Sequence, residues 1–245
     1  MIVDAHAHIG KFNSWPLAKG EPEELVGILR QEGIDYALTS SALAIYYDCP
    51  AGNAEVLAAA AQYKEIVPLL CVNPRRREEA FAELDTWQER GFVGLKLHPT
   101  AHEYSLTSTA AEAVLDFAEA ANMPVLTHSS EDDPRCGPAA IRAVAERHPG
   151  LVLIVGHACL FSSREVVEVA EEHPNVYLEL SVNYEAGKLE DTIERLGCDR
   201  LLFGSDVPLH NPSVMVQRIR VVGLSKPDED KILFQNVQRL YKLCL

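Results

Sequence analysis

A chain of 245 residues with 47% hydrophobic content can bury one sizeable core, and a single α/β barrel of about 250 residues suits that length. Its formal charge of −14 and pI near 5.0 leave no broad basic surface, which argues against a nucleic acid or an anionic membrane as partner. No apolar run approaches a membrane span, no basic and apolar leader opens the sequence, and the six cysteines include no Cys-x-x-Cys pair. We therefore expect a cytoplasmic protein with free thiols.

The first expected strand, Val3-Asp4-Ala5-His6-Ala7-His8-Ile9-Gly10, carries two histidines one residue apart. Strand side chains repeat with period two, so both imidazoles point the same way and can share a metal ion if other elements complete the site. A pair of partly buried structural histidines is the competing reading of a lone His-x-His. Lys11 to Gly20 reads as a loop able to cover a site. Pro22 stands at a first helical position with Glu23 and Glu24 in the opening turn. Leu25, Ile28 and Leu29 give that helix an apolar face, and Gly33 ends it.

Ile34 to Thr39 reads as the second strand and Asn53 to Tyr63 as an alanine-rich helix. Ile66 to Val72 is nearly all apolar, as in a parallel strand buried on both faces. Phe81, Leu84 and Trp87 mark a helix ending at Gly91, and Phe92 to His98 forms the fourth strand. Thr109 with Glu112, and later Ser162 with Glu165, carry capping-box signatures. Strands at Pro124–His128, Leu151–His157, Val176–Leu180 and Arg200–Ser205 alternate with helices at Ala139–Arg147, up to Glu172, and Leu189–Leu196. Helices Val214–Val222 and Glu229–Leu243 close the chain. His148 and His173 recur 25 residues apart in similar surroundings and read as structural cations at helix C-termini. This regular βα alternation predicts a single-domain (β/α)8 TIM barrel over residues 1–245, with a doubly wound open sheet as the alternative.

In such a barrel the chemistry gathers at the C-terminal ends of the strands. His6 and His8 end the first strand there, Lys96 and His98 the fourth, His128 the fifth, His157 the sixth and Asp206 the eighth. Each has an ordinary explanation alone: a hydrogen-bonded core histidine, an ion-paired lysine, a helix-capping aspartate. Together the imidazoles and the carboxylate form a ligand set for one or two divalent metal ions, with Zn²⁺ the default.

The order of His-x-His, Gly94-Leu95-Lys96-Leu97-His98-Pro99, His128, Gly156-His157-Ala158 and Phe203-Gly204-Ser205-Asp206-Val207-Pro208 resembles the amidohydrolase superfamily. Within it, the similarity is to the amidohydrolase-related branch of hydrolases and metal-dependent decarboxylases, and it extends to the closing Ile232–Tyr241 segment. The resemblance implies His6, His8, His128 and Asp206 as primary metal ligands. It makes His157 either a second-metal ligand or a catalytic histidine beside one metal. Lys96 would be a carbamylated bridge between two metals or an uncarboxylated partner for a substrate anion. The second role is favoured, because His98 shares its side of the strand and His102 follows, both candidate substrate contacts.

A divalent ion with an open position lowers the pKa of bound water to around 7. Asp206 is suited to accept that proton, and His157 to stabilise the attacked carbonyl oxygen. The leading expectation is a metal-dependent hydrolase cleaving an amide, lactone or other ester of a small molecule. The alternative is a metal-dependent, non-oxidative decarboxylase, cued by Lys96, its neighbouring histidines and Arg75, Arg76 and Arg77 as cations for an anionic substrate. A nuclease fits less well, since Lys96 stands where those relatives usually carry glutamate. A barrel that only binds is disfavoured because no ligand is replaced by an inert residue. Loops Lys11–Gly20, Ala44–Gly52 and Glu131–Gly137, with Trp15, Tyr46, Tyr47 and Asp132, are candidate pocket elements. A homo-oligomer is compatible with the sequence.

Overall fold

The computed structural model describes residues 1–12, 20–158, 163–182 and 187–245. Trp15, most of the Lys11–Gly20 loop, Cys159 and the Ser162 end of the second capping box lie outside the described residues. Strand β1 (Val3–Ile9) pairs in parallel with β2 (Tyr36–Ser41), which pairs with β3. Strand β3 comes in two pieces, Ile66–Pro68 and Leu70–Cys71. The second piece starts a parallel run through β4 (Leu95–Leu97), β5 (Val125–Thr127), β6 (Leu153–Val155), β7 (Val176–Glu179) and β8 (Leu201–Leu202).

Both ends of this run join to close the ring. Leu69 N donates to Thr39 O at 2.9 Å, bridging the break in β3. Ala5 N donates to Phe203 O at 2.9 Å, His8 N to Val207 O at 2.8 Å and Asp206 N to His6 O at 2.8 Å, sealing β1 against the chain leaving β8. The result is a (β/α)8 barrel.

One apolar layer fills the barrel: Val3, Ala5, Leu38, Val67, Leu69, Leu126, Ile154 and Leu202. The last helix (Asn236–Tyr241) adds Val237, Leu240 and Tyr241 to this layer. A larger shell packs outward-facing strand residues such as Leu97, Val155 and Leu178 against the helices. The pairing register assigns each strand residue to one layer or the other. Lys96 is level with Leu126, and Leu126 with Ile154, so Lys96 points inward despite its charge. Glu179 is level with Leu202 and does the same.

In β1 the register slips between Asp4 and Ala7. Val3 and Ala5 belong to the inner layer, whereas Ala7 and Ile9 belong to the outer shell. This bulge exchanges the two faces of the strand, an effect expected of one extra residue. It lets an apolar lower half and a His-x-His upper half both face the barrel interior.

Several element boundaries differ from the sequence expectation. The segment Ala44–Gly52 is largely helical, falling in Ala42–Tyr46 and Cys49–Gln62. Ser41 and Asp48 cap these helices, with Asp48 accepting from Ala51 N at 2.9 Å, and such local side-chain bonds carry little periodic signal. Ser108, not Thr109, caps the helix Thr109–Ala120, accepting from Ala111 N at 3.3 Å. The helix bearing Phe81 stops at Leu84 and leaves Trp87 in the following turns. Pro22 and Gly33 bound the first helix as expected, Gly33 with φ of 71°. His148 caps its helix and also sets Nδ1 3.2 Å from Glu119 Oε2 on the neighbouring helix. Among the described residues no helix is long and apolar enough to cross a membrane.

Candidate metal centre

The polar strand ends meet at one mouth of the barrel, in a cavity of about 470 Å³. His6, His8, Lys96, His98, His128, His157 and Asp206 all line it. Within this set, ligand atoms of His6, His8 and Asp206 lie within 4.8 Å of one another. Asp206 Oδ1 stands 3.1 Å from His8 Nε2 and 3.6 Å from His6 Nε2. His128 joins the cavity but not this tight trio: its ring stacks on His98 at 4.1 Å and meets His157 edge-on at 5.1 Å.

The far nitrogens of the first two rings are already engaged. His6 Nδ1 lies 2.8 Å from Glu179 Oε2, and His8 Nδ1 lies 2.9 Å from Ser40 Oγ. Both Nε2 atoms therefore face Asp206. Outer carboxylate and hydroxyl partners orient metal-ligating histidines in this way, fixing tautomer and ring direction. The donor set fits a divalent cation: two imidazole nitrogens and a carboxylate, each oriented from behind.

Protonation states agree with that reading. Burial pushes His6, His98 and His128 well below the ordinary histidine value, and the Lys96 charge and the cost of protonating adjacent rings together add to the effect. Burial likewise brings His157 down to about 3 and lowers His8. All five rings are thus neutral near pH 7 and keep a lone pair for an ion or a proton. Burial works against charge on Asp206, yet the His8 hydrogen bond and the surrounding imidazoles hold it well below the usual carboxylate range. Burial lowers Lys96 to about 8, against the pull of Asp206 and Glu179. Its ammonium donates to His6 Nε2 at 2.5 Å, so it competes with any ion for that lone pair.

Two buried carboxylates missed at the sequence level organise these groups. Asp4 Oδ1 accepts from His6 N at 2.9 Å and from Ser205 N at 3.0 Å, tying β1 to the segment carrying Asp206. Burial raises Asp4 to about 7. Glu179 Oε2 accepts from His157 N at 3.0 Å and Ser181 Oγ at 2.8 Å while facing His6. His157 Nδ1 in turn lies 2.8 Å from Ser181 Oγ. Gly204 is required here: a Cβ would stand 2.1 Å from Glu179 Oε1. The signal in the sequence was a lone carboxylate inside an apolar strand, as in Val176-Tyr177-Leu178-Glu179-Leu180.

His157 and Asp206 adopt left-handed backbone at φ of 60° and 64°, as does Val182 at 63°. Such conformations cost of order 1–3 kcal/mol each and concentrate at functional sites.

Other candidates lie elsewhere. His102 is buried away from the cavity, its Nε2 3.2 Å from Ala44 O, because the short helix Pro99–His102 turns it outward from the barrel mouth. Arg75 reaches the carbonyls of His102 and Glu103, Arg76 pairs with Glu79, and Arg77 lies over the Phe81 ring, so none of the three supplies a cation to the cavity. Tyr46 lines the cavity, whereas Tyr47 is 54% exposed and, like Asp132, does not. Apolar lining comes from Phe12, Ile45, Val182 and Leu209.

The profile of the amidohydrolase family matches residues 3–243. The chain belongs to the amidohydrolase family. Within this family setting, a 82-residue stretch is 34% identical to the γ-resorcylate decarboxylase of Polaromonas sp. strain JS666, covering 34% of this chain and 24% of that protein. The match thus spans about a quarter of that relative's length. Among solved structures, 5-carboxyvanillate decarboxylase from Sphingomonas paucimobilis superposes with a TM-score of 0.80 at 13% identity, covering 99% of each chain. A dihydroxybenzoic acid decarboxylase from Polaromonas sp. JS666, with bound manganese and 2-nitroresorcinol, superposes with a TM-score of 0.77 at 18% identity, covering 99% of this chain and 97% of that one. At these identities the superpositions establish the shared barrel.

Proposed function

We propose that this amidohydrolase-family protein is a divalent-metal-dependent, non-oxidative decarboxylase of a small aromatic carboxylic acid bearing ring hydroxyls. The observation that carries this reading is the mixed lining of the cavity, where Lys96, Asp206 and neutral imidazoles stand among Phe12, Ile45, Tyr46, Val182 and Leu209. A flat apolar ring with one anionic edge matches such a lining. The local identity to a γ-resorcylate decarboxylase supports the same choice over hydrolysis.

His6, His8 and Asp206 would hold the ion, with His128 or His157 completing the set. When bound, a divalent ion at this place supplies Lewis-acid polarisation of substrate oxygens. The histidine and carboxylate donors suit Zn²⁺ or Mn²⁺.

The remaining work falls to side chains. Lys96 Nζ pairs with the substrate anion, a cation held ready where burial has removed competing water. The apolar lining residues pack against the substrate ring and exclude bulk water. The reaction breaks the ring-to-carboxyl bond, releases carbon dioxide and puts one proton on the vacated ring carbon, with no net oxidation. Asp206 Oδ, ionised at rest, is assigned to take a proton from solvent water or a substrate hydroxyl and pass it to the ring carbon, with His157, ordered by Ser181 and Glu179, in the same cavity. Such positioned proton transfer contributes about 10²–10⁴-fold.

The test is to incubate metal-loaded protein with mono- and dihydroxybenzoates in heavy water. Carbon dioxide and a phenol carrying deuterium at the vacated position are expected. Turnover of lactones or amides with water consumed and no carbon dioxide released would overturn this reading in favour of a hydrolase. That second reading uses the same Asp206 Oδ, which would then take the proton of the attacking water.

A further inference from the structure

A second group of metal-binding side chains lies outside the cavity. Cys49 opens the helix Cys49–Gln62, Cys71 ends β3, and His102 closes the helix Pro99–His102. All three are buried, and their ligand atoms lie within 4.8 Å of one another. Cys49 Sγ stands 4.0 Å from His102 Nε2. The Ala44 carbonyl oxygen faces the same point, 3.3 Å from Cys49 Sγ and 3.2 Å from His102 Nε2.

Spacing and chemistry both suit an ion. Bonds of about 2.3 Å to sulfur and about 2.0 Å to nitrogen in a tetrahedron put neighbouring ligand atoms roughly 3.5–4 Å apart. Two thiols, an imidazole and a carbonyl oxygen therefore need only small shifts to close on one cation. Thiolates favour soft or borderline ions, unlike the nitrogen and oxygen donors of the cavity. The backbone of Cys71 is pinned from both sides: Asn53 Nδ2 donates to its carbonyl at 2.9 Å and Asn53 Oδ1 accepts from its N–H at 2.9 Å. His102 Nδ1 is buried without a hydrogen-bond partner, so the polar contacts of this ring run through Nε2, the nitrogen that faces Cys49 and Ala44.

We propose that Cys49, Cys71 and His102 form a second, structural metal site for a thiophilic cation of the Zn²⁺ or Cu⁺ class. The ion would fasten three elements, two of which adjoin the cavity. Ile45 and Tyr46 lie just before Cys49, and His98 and Thr100 lie in the turn that ends at His102. Binding of Zn²⁺ displaces two thiol protons and leaves the site electrically neutral.

Cobalt(II) titration of the full-length, reduced protein tests this directly. Thiolate-to-cobalt charge-transfer absorption is expected, together with one more bound equivalent per chain than in Cys49→Ser. Among the described residues no cysteine lines the cavity, and loss of that absorption in Cys49→Ser assigns it to the second site. Loss of cavity binding would instead lower the cobalt count while leaving the thiolate signal. If Cys49→Ser fails to fold, His102→Asn serves as the second variant. Cobalt binding without a thiolate signal in the wild type, and equal metal content in wild type and variants, would overturn the proposal.

Discussion

Glu179 on β7 holds His6 on β1, with Oε2 2.8 Å from Nδ1 across the barrel interior. The carboxylate that aims this ring is thus 173 residues away in sequence. Glu179→Gln keeps the shape but weakens the acceptor. Metal affinity should fall by about 10–100-fold, the usual cost of losing an outer partner of a ligating histidine. Competition with a coloured chelator reads the change, and unchanged affinity would remove Glu179 from this role.

Gly204 leaves the room that Glu179 occupies. A Cβ there would stand 2.1 Å from Oε1 and 2.6 Å from Cδ. The carboxylate cannot swing aside without breaking its bonds to Ser181 and His157. Gly204→Ala should therefore destabilise by about 1–3 kcal/mol, the range for overpacking, and should lower metal affinity as well. Denaturant melts and metal titration measure the two effects.

Removing the Asp206 carboxylate takes away a donor and the assigned proton carrier at once. Asp206→Asn should cost about 10²–10⁴ in kcat, the scale of positioned proton transfer, and exhaustive chelation should abolish turnover in the wild type. A chelated protein that keeps full activity would end the metal-dependent reading.

Lys96→Met preserves length and bulk while removing the cation. For an anionic substrate KM should rise roughly 10–100-fold, corresponding to a charged hydrogen bond of about 1.5–3 kcal/mol. The effect should vanish for neutral analogues. Intact-mass measurement of native protein reports whether Lys96 has added carbon dioxide, which would recast it as a carboxylate.

The Asp133 carboxylate accepts from Arg135 Nε at 2.8 Å and from Thr100, a cavity residue. Burial opposes its charge, but the Arg135 and Thr100 bonds bring it down from 3.8 to about 2. The folded state then holds fewer protons than the unfolded state between those values. Its stabilisation is full above 3.8 and fades as pH falls toward 2. Asp133→Asn should show a shallower loss of denaturant midpoint on acidification across that window. Parallel curves for wild type and variant would contradict it.

Much of the barrel is written locally. Apolar strand runs separated by helical segments, Pro22 and Gly33 at the ends of the first helix, and polar residues ending several strands all depend on period and capping. These are properties of neighbouring residues, so His6, His8, Lys96, His98, His128, His157 and Asp206 were identifiable from the chain alone. They do line one cavity. His102 was misplaced because a four-residue helix, Pro99–His102, turns it toward Ala44, and no periodicity betrays so short a turn. The three arginines at Arg75–Arg77 likewise lie off the cavity.

The amino-acid sequence by itself determined the alternation, the strand-end chemistry and the His-x-His pair. Only the tertiary structure decided which of those groups meet and in what order. Ring closure puts Asp206 3.1 Å from His8, and the bulge in β1 turns both histidines inward above an apolar floor. Register sets Lys96 and Glu179 inside the barrel. The reason is physical: a side chain's direction off a strand is local, whereas its partner across a closed sheet depends on register and closure. Those summed contributions come from every strand of the ring.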